Sequence, residues 1–130
     1  LPILSQNYVD LIEFVASSLQ TQGEKSMLMD GGDRCLYRLV KDDGTVLKCA
    51  LGFLIPNSLY RSVMEDNDAI DLFYKFPKAF KSAIKRFKLE NESEEDLSGL
   101  FKALQEIHDQ QDVAEWEEHF GELSQSYLNK

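Results

Sequence analysis

The chain has 130 residues, 43% of them apolar and fourteen aromatic, enough for a packed core without a metal or disulfide and too many for a disordered segment. Its formal charge of −9 repels phosphate backbones and argues against direct binding of DNA or RNA. No apolar run reaches the roughly 18 to 20 residues that cross a bilayer, so one soluble, cytoplasmic domain over residues 1–130, with no membrane contact, is expected.

Tyr8, Leu11, Ile12, Val15 and Leu19 recur at helical spacing between Ser5, a natural N-cap, and Gly23, which suits a left-handed C-terminal cap. Glu24 to Arg34 reads as a loop whose apolar middle, Met27 to Met29, tucks under the domain ahead of Asp30-Gly31-Gly32-Asp33. Two β-type runs, about 35–40 and 45–49, flank Asp43-Gly44, whose tolerance of positive φ predicts a hairpin. After Gly52 and Pro56, one short helix is expected from Asn57 through Tyr60, Arg61 and Met64, and another over Asp68 to Tyr74.

Pro77 suits a helix's first turn, with Phe76, Phe80, Ala83, Ile84 and Phe87 on one side and Lys78, Lys81, Lys85 and Lys88 on the other. Ser93 with Asp96 resembles a capping box ahead of Leu97, Leu100, Phe101, Leu104, Ile107 and His108. A last helix is expected from near Asp112, using Val113, Trp116, Phe120, Leu123 and Tyr127. These patterns predict an α+β fold: a mainly helical single domain of five to six helices with one small antiparallel β-hairpin, which helices must cover because an isolated hairpin is marginal in water.

Hairpin geometry sets Cys35 and Cys49 on opposite faces or too far apart on one face for a disulfide, so both are expected as free thiols. Cys49, at a strand end before Gly52, is one candidate nucleophile, with His108 as base and Asp109 as orienting carboxylate. The competing expectation is structural, because cysteine is among the most buried residue types and His108 shares a stripe with Phe101 and Leu104. Cys35, Cys49, His108 and His119 lack the close-spaced ligand pairs of structural zinc sites, so neither metal nor cofactor is expected.

Tyr37, Arg38, Lys48, Tyr60 and Arg61, beside Glu65, are candidates for a small anion site at the hairpin, or else surface side chains paired with the plentiful acids. Charge is segregated: Lys75 to Lys88 carries six basic residues and no acidic one, whereas Glu90 to Glu122 carries twelve acidic residues against Lys102 alone. Glu115, Glu117 and Glu118 are therefore candidate contacts for a partner with a basic surface, the alternative being an ordinary solvated face. Exposed apolar residues of the last helix, such as Tyr127, leave a homodimer open.

Cys35-x-Tyr37-Arg38, Leu47-Lys48-Cys49-Ala50-x-Gly52-x-Leu54-Ile55-Pro56, Tyr60, Met64-Glu65 and Ile107-His108-Asp109 before Trp116 resemble a group of small uncharacterised proteins of phages, prophages and bacteria. The group has no established activity, so the resemblance implies a phage or bacterial cytoplasmic setting and imports no catalytic residue. The expected function is a small acidic binding protein, an inhibitor or counter-defence factor working by protein–protein contact. The alternatives are a cysteine-dependent enzyme or thiol sensor using Cys49 and His108, and a binder of small anionic ligands at the hairpin.

Overall fold

Helix α1 (Pro2–Gln22) turns Leu11, Ile12, Val15 and Leu19 to one side, where all four are fully buried. Burial of each such side chain stabilises the fold by about 1.5–3 kcal/mol relative to leaving it in water. The computed structural model describes residues 2–28 and 34–129, so the expected loop tip from Met29 to Asp33 lies outside them. The helix starts at Pro2, whose fixed φ suits a first turn, which leaves Ser5 inside the helix rather than at its cap. It ends as expected: Gly23 takes φ +77° and donates its N–H to the Leu19 carbonyl at 2.8 Å.

The expected loop after Gly23 is instead partly paired. Strand β1 (Met27–Leu28) lies antiparallel to β2 (Arg34–Cys35), with Met27 opposite Cys35 and Leu28 opposite Arg34. The N–H of Leu36 extends this ladder to the Ser26 carbonyl at 2.8 Å. Strands of two residues carry no period, which is why alternation did not reveal them.

The predicted hairpin is formed by β3 (Arg38–Val40) and β4 (Val46–Lys48), with Arg38 opposite Lys48 and Val40 opposite Val46. Gly44 adopts φ +88° and donates its N–H to the Lys41 carbonyl at 2.9 Å, while the Lys41 N–H reaches the Thr45 carbonyl at 2.8 Å. That is a three-residue loop with a glycine bulge, reinforced by the Thr45 N–H donating to Asp43 at 2.9 Å. Both cysteines are free thiols.

A 3₁₀ turn over Leu51–Leu54 folds back on the hairpin. A Cβ at the buried Gly52 would collide with the Tyr37 carbonyl oxygen, so only glycine permits this approach. The single short helix expected from Asn57 is two 3₁₀ turns, Asn57–Leu59 and Ser62–Asp66, separated by extended backbone at Tyr60 and Arg61. Across this break the Tyr60 hydroxyl donates to Glu65 at 2.6 Å.

Helix α2 (Ala69–Lys75) is capped by Asp68, which accepts the Asp71 N–H at 2.8 Å, and α3 (Pro77–Arg86) follows with proline in its first turn. Helix α4 (Glu94–Gln110) is capped by Ser93, whose hydroxyl accepts the Asp96 N–H at 3.1 Å. A 3₁₀ turn over Val113–Glu115 precedes α5 (Trp116–Leu128), so the last helix begins later than Asp112. The molecule is a mainly helical α+β domain of five α-helices and two small antiparallel strand pairs among the described residues.

Helix α5 packs along α1, and α4 packs against α2 and α5. Phe80 and Phe101 sit at the centre with ring centroids 5.0 Å apart, and Phe73 meets Phe101 edge-on at 5.5 Å. Tyr127 is stacked on Tyr8 of α1 at 4.5 Å, so its ring closes the domain's own seam and is not a free anchor for a second copy. Among the described residues no helix is long and apolar enough to cross a membrane.

Candidate functional site

One face of the last turns of α4 carries Gln105, His108 and Asp109, spaced i, i+3 and i+4, and this face meets the start of the sheet region. His108 is wholly buried and stacks on Trp116 with ring centroids 5.5 Å apart. Its Nε2 accepts the backbone N–H of Ser26 at 3.2 Å. A backbone amide can only donate, so Nε2 holds the lone pair and Nδ1 holds the proton, which it gives to Asp109 Oδ1 at 2.8 Å. Gln105 Nε2 donates to the same oxygen at 2.8 Å, and Gln105 Oε1 accepts the Leu51 N–H at 3.2 Å.

The cysteine that joins this cluster is Cys35 of β2, whose thiol hydrogen-bonds to Asp109. Burial pushes the Cys35 thiol up to about 12, helped by the charge and hydrogen bond of Asp109 and opposed by Lys25. Cys49, expected as the nucleophile, is fully buried among core side chains, and burial pushes its thiol strongly upward against a hydrogen bond from Gly52. The proposed Cys49–His108–Asp109 arrangement therefore lacks the exposed, stabilised thiolate it needs. Both ring nitrogens of His108 are also engaged, so neither is free to take a thiol proton. His119 stands apart on α5, 3.9 Å from Glu115.

Beside the cluster lies a cavity of about 310 Å³, lined by Cys35, Tyr37, Glu65, Asp68, Lys102 and Asp109 among others. Glu65 holds its wall: its carboxylate accepts the N–H of Tyr37 at 2.8 Å, the N–H of Arg38 at 3.1 Å and the Tyr60 hydroxyl at 2.6 Å. Tyr37 spans the wall from the hairpin and donates its hydroxyl to the Asn67 carbonyl at 2.6 Å. The hydroxyls of Tyr37 and Tyr60 are both held protonated well above their ordinary range, mainly by burial and secondarily by nearby anionic groups, Glu65 among them.

The candidate anion residues divide. Tyr37, Arg38, Tyr60 and Glu65 do come together, with the Arg38 guanidinium 5.6 Å from the Tyr60 ring centroid. Lys48 lies over Phe53 at 5.8 Å and faces a different hollow with Arg86, while exposed Arg61 bonds the Ser58 and Tyr60 carbonyls at 3.1 and 2.8 Å. The hairpin cavity itself carries Glu65, Asp68, Glu106 and Asp109 against Lys102, which is 3.8 Å from Glu106. Carboxylates outnumber cations in its lining, and Arg38, Lys48, Tyr60 and Arg61 lie outside it.

The chain matches no family model, no curated protein and no solved structure.

Sequence reasoning missed the places of Ser26, Cys35, Asp68 and Gln105 in this site. Gln105-x-x-His108-Asp109 was legible as one helix face, but what that face meets comes from a segment far away in sequence.

Proposed function

We propose that the protein is a non-catalytic binding protein that acts by contact with a second protein bearing a basic surface. The observation that carries this reading is the segregation and isolation of its charges. Glu94, Glu95 and Asp96 at the start of α4, Glu115 at the end of the 3₁₀ turn before α5, and Glu117, Glu118 and Glu122 along α5 are all exposed. Among the described residues none of them pairs with a lysine or arginine, and none of the six cations from Lys75 to Lys88 pairs with a carboxylate. The two fields are not spent on each other, so each projects outward, and complementary fields of this kind accelerate encounter and fix orientation.

On the resemblance drawn from the hairpin residues, the proposal extends to a phage or bacterial cytoplasmic setting and, by analogy with small acidic phage proteins, to a role as an inhibitor or counter-defence factor. The test is a pull-down with the tagged chain from a bacterial lysate at low and moderate salt, paired with a Glu115→Lys/Glu117→Lys/Glu118→Lys variant. A stoichiometric partner that is lost as salt rises, and lost from a variant that still melts like the parent, supports the acidic face. Unchanged affinity of that variant for the captured partner removes it.

A further inference from the structure

The cluster of Cys35, His108 and Asp109 plays no part in contact through the acidic face, and its chemistry points elsewhere. We propose that these three side chains hold a zinc ion whose fourth position opens into the adjoining cavity. The thiol sulfur, an imidazole nitrogen and a carboxylate oxygen all lie within 4.8 Å of one another. In a tetrahedral zinc site with bonds of about 2.0–2.3 Å the donor atoms sit about 3.3–3.8 Å apart, so the His108 Nδ1–Asp109 Oδ1 pair, 2.8 Å apart, would open as the ion enters and any wider pair would close. Cys35 reaches the two α4 ligands from β2, a separate element. A mixed sulfur, nitrogen and oxygen donor set suits zinc and not magnesium or calcium, which take oxygen ligands.

Without metal, Asp109 gathers the protons that the ion would displace. Zinc replaces the thiol proton of Cys35, which leaves to solvent, and it binds His108 through Nδ1 while the ring's single proton moves to Nε2. That movement turns the Ser26 N–H bond, now 3.2 Å, into a contact between two donors. Ser26 and His108 are both wholly buried, so the two donors left facing each other are a real penalty, which the affinity of a thiolate-containing zinc site has to exceed. The supporting groups are in place: Gln105 holds the Asp109 carboxylate and is itself anchored by the Leu51 N–H, and Trp116 stacks on the imidazole. Cys35 and Asp109 both line the cavity, so the open position faces it, where Glu65, Asp68 and Glu106 add negative potential.

The test uses the reduced full chain with cobalt(II) as a spectroscopic stand-in, followed by zinc competition against a chelator. The expected result is one equivalent of cobalt per chain with an intense near-ultraviolet thiolate-to-metal band. The band disappears in Cys35→Ser and persists in Cys49→Ser. Zinc binding releases one proton per ion in buffer-dependent calorimetry, and Gln105→Ala weakens zinc by about 10–100-fold, as expected for a residue that orients a ligand. Absence of the band in the parent chain overturns the proposal. So does its survival in Cys35→Ser, or its loss from a Cys49→Ser chain whose circular dichroism matches the parent.

Discussion

Replacing Glu65 with alanine removes one carboxylate and strands three donors: the N–H groups of Tyr37 and Arg38 and the Tyr60 hydroxyl. A buried donor left without an acceptor costs about 1–3 kcal/mol. Tyr37 is buried, while Arg38 and Tyr60 are half-buried and recover part of that loss by reaching water. The sum is therefore about 2–4 kcal/mol, a large share of the roughly 5–15 kcal/mol that holds a domain of this size. Tyr60→Phe removes one of the three bonds and is expected to cost about 1 kcal/mol. The double variant should cost less than the sum of the singles, with a coupling of about 1 kcal/mol, because the two changes share a bond. Urea unfolding followed by circular dichroism measures all four corners of this cycle. A Glu65→Ala midpoint within about 0.5 kcal/mol of the parent would refute the claim that this carboxylate pins the hairpin to the 3₁₀ turn over Ser62–Asp66.

Gly52→Ala should destabilise the domain by about 2–3 kcal/mol in the same assay, since the added Cβ meets the backbone oxygen of Tyr37 and not the end of a flexible side chain; a parent-like midpoint would show that the turn can shift. With its thiol pushed up to about 12, Cys35 should react with a thiolate-selective reagent at pH 8 about a thousandfold more slowly than a free thiol, and Cys49 only after unfolding; rapid labelling of either in the folded chain contradicts the burial described. Cys35, Cys49, Tyr8, Tyr37 and Tyr60 all keep their protons in the fold above the pH at which the free side chains lose them. Their contribution to stability is thus fully present below the unfolded-state values. As pH rises past about 9 the unfolded chain binds fewer protons than the native one, so stability should fall from there upward. A melting temperature that is flat or rising between pH 9 and 11 would reverse that sign.

The helices were legible because burial imposes a period that the residue string retains. Leu11, Ile12, Val15 and Leu19 repeat at the spacing of one helix face, and Ser93 and Gly23 mark ends through chemistry confined to neighbouring residues. Asp43-Gly44 revealed the hairpin for the same reason, since a tight turn depends on which residue tolerates positive φ. The break at Tyr60 and Arg61 was hidden, because the side-chain bonds that accompany it, Tyr60 to Glu65 and Arg61 to the Tyr60 carbonyl, leave no mark in helix periodicity.

By itself the sequence determined the class of fold, the helix ends at Gly23, Pro77 and Ser93, the hairpin turn and the separation of acidic from basic surface, all of which rest on local backbone preference or on composition. Only the tertiary structure decided which cysteine meets His108 and Asp109, how the two His108 nitrogens are engaged, and that the cavity beside the hairpin is lined with carboxylates. Those facts depend on where β2 and the end of α4 come to rest against each other. That approach is set by packing between segments far apart in the chain, and no local spacing records it.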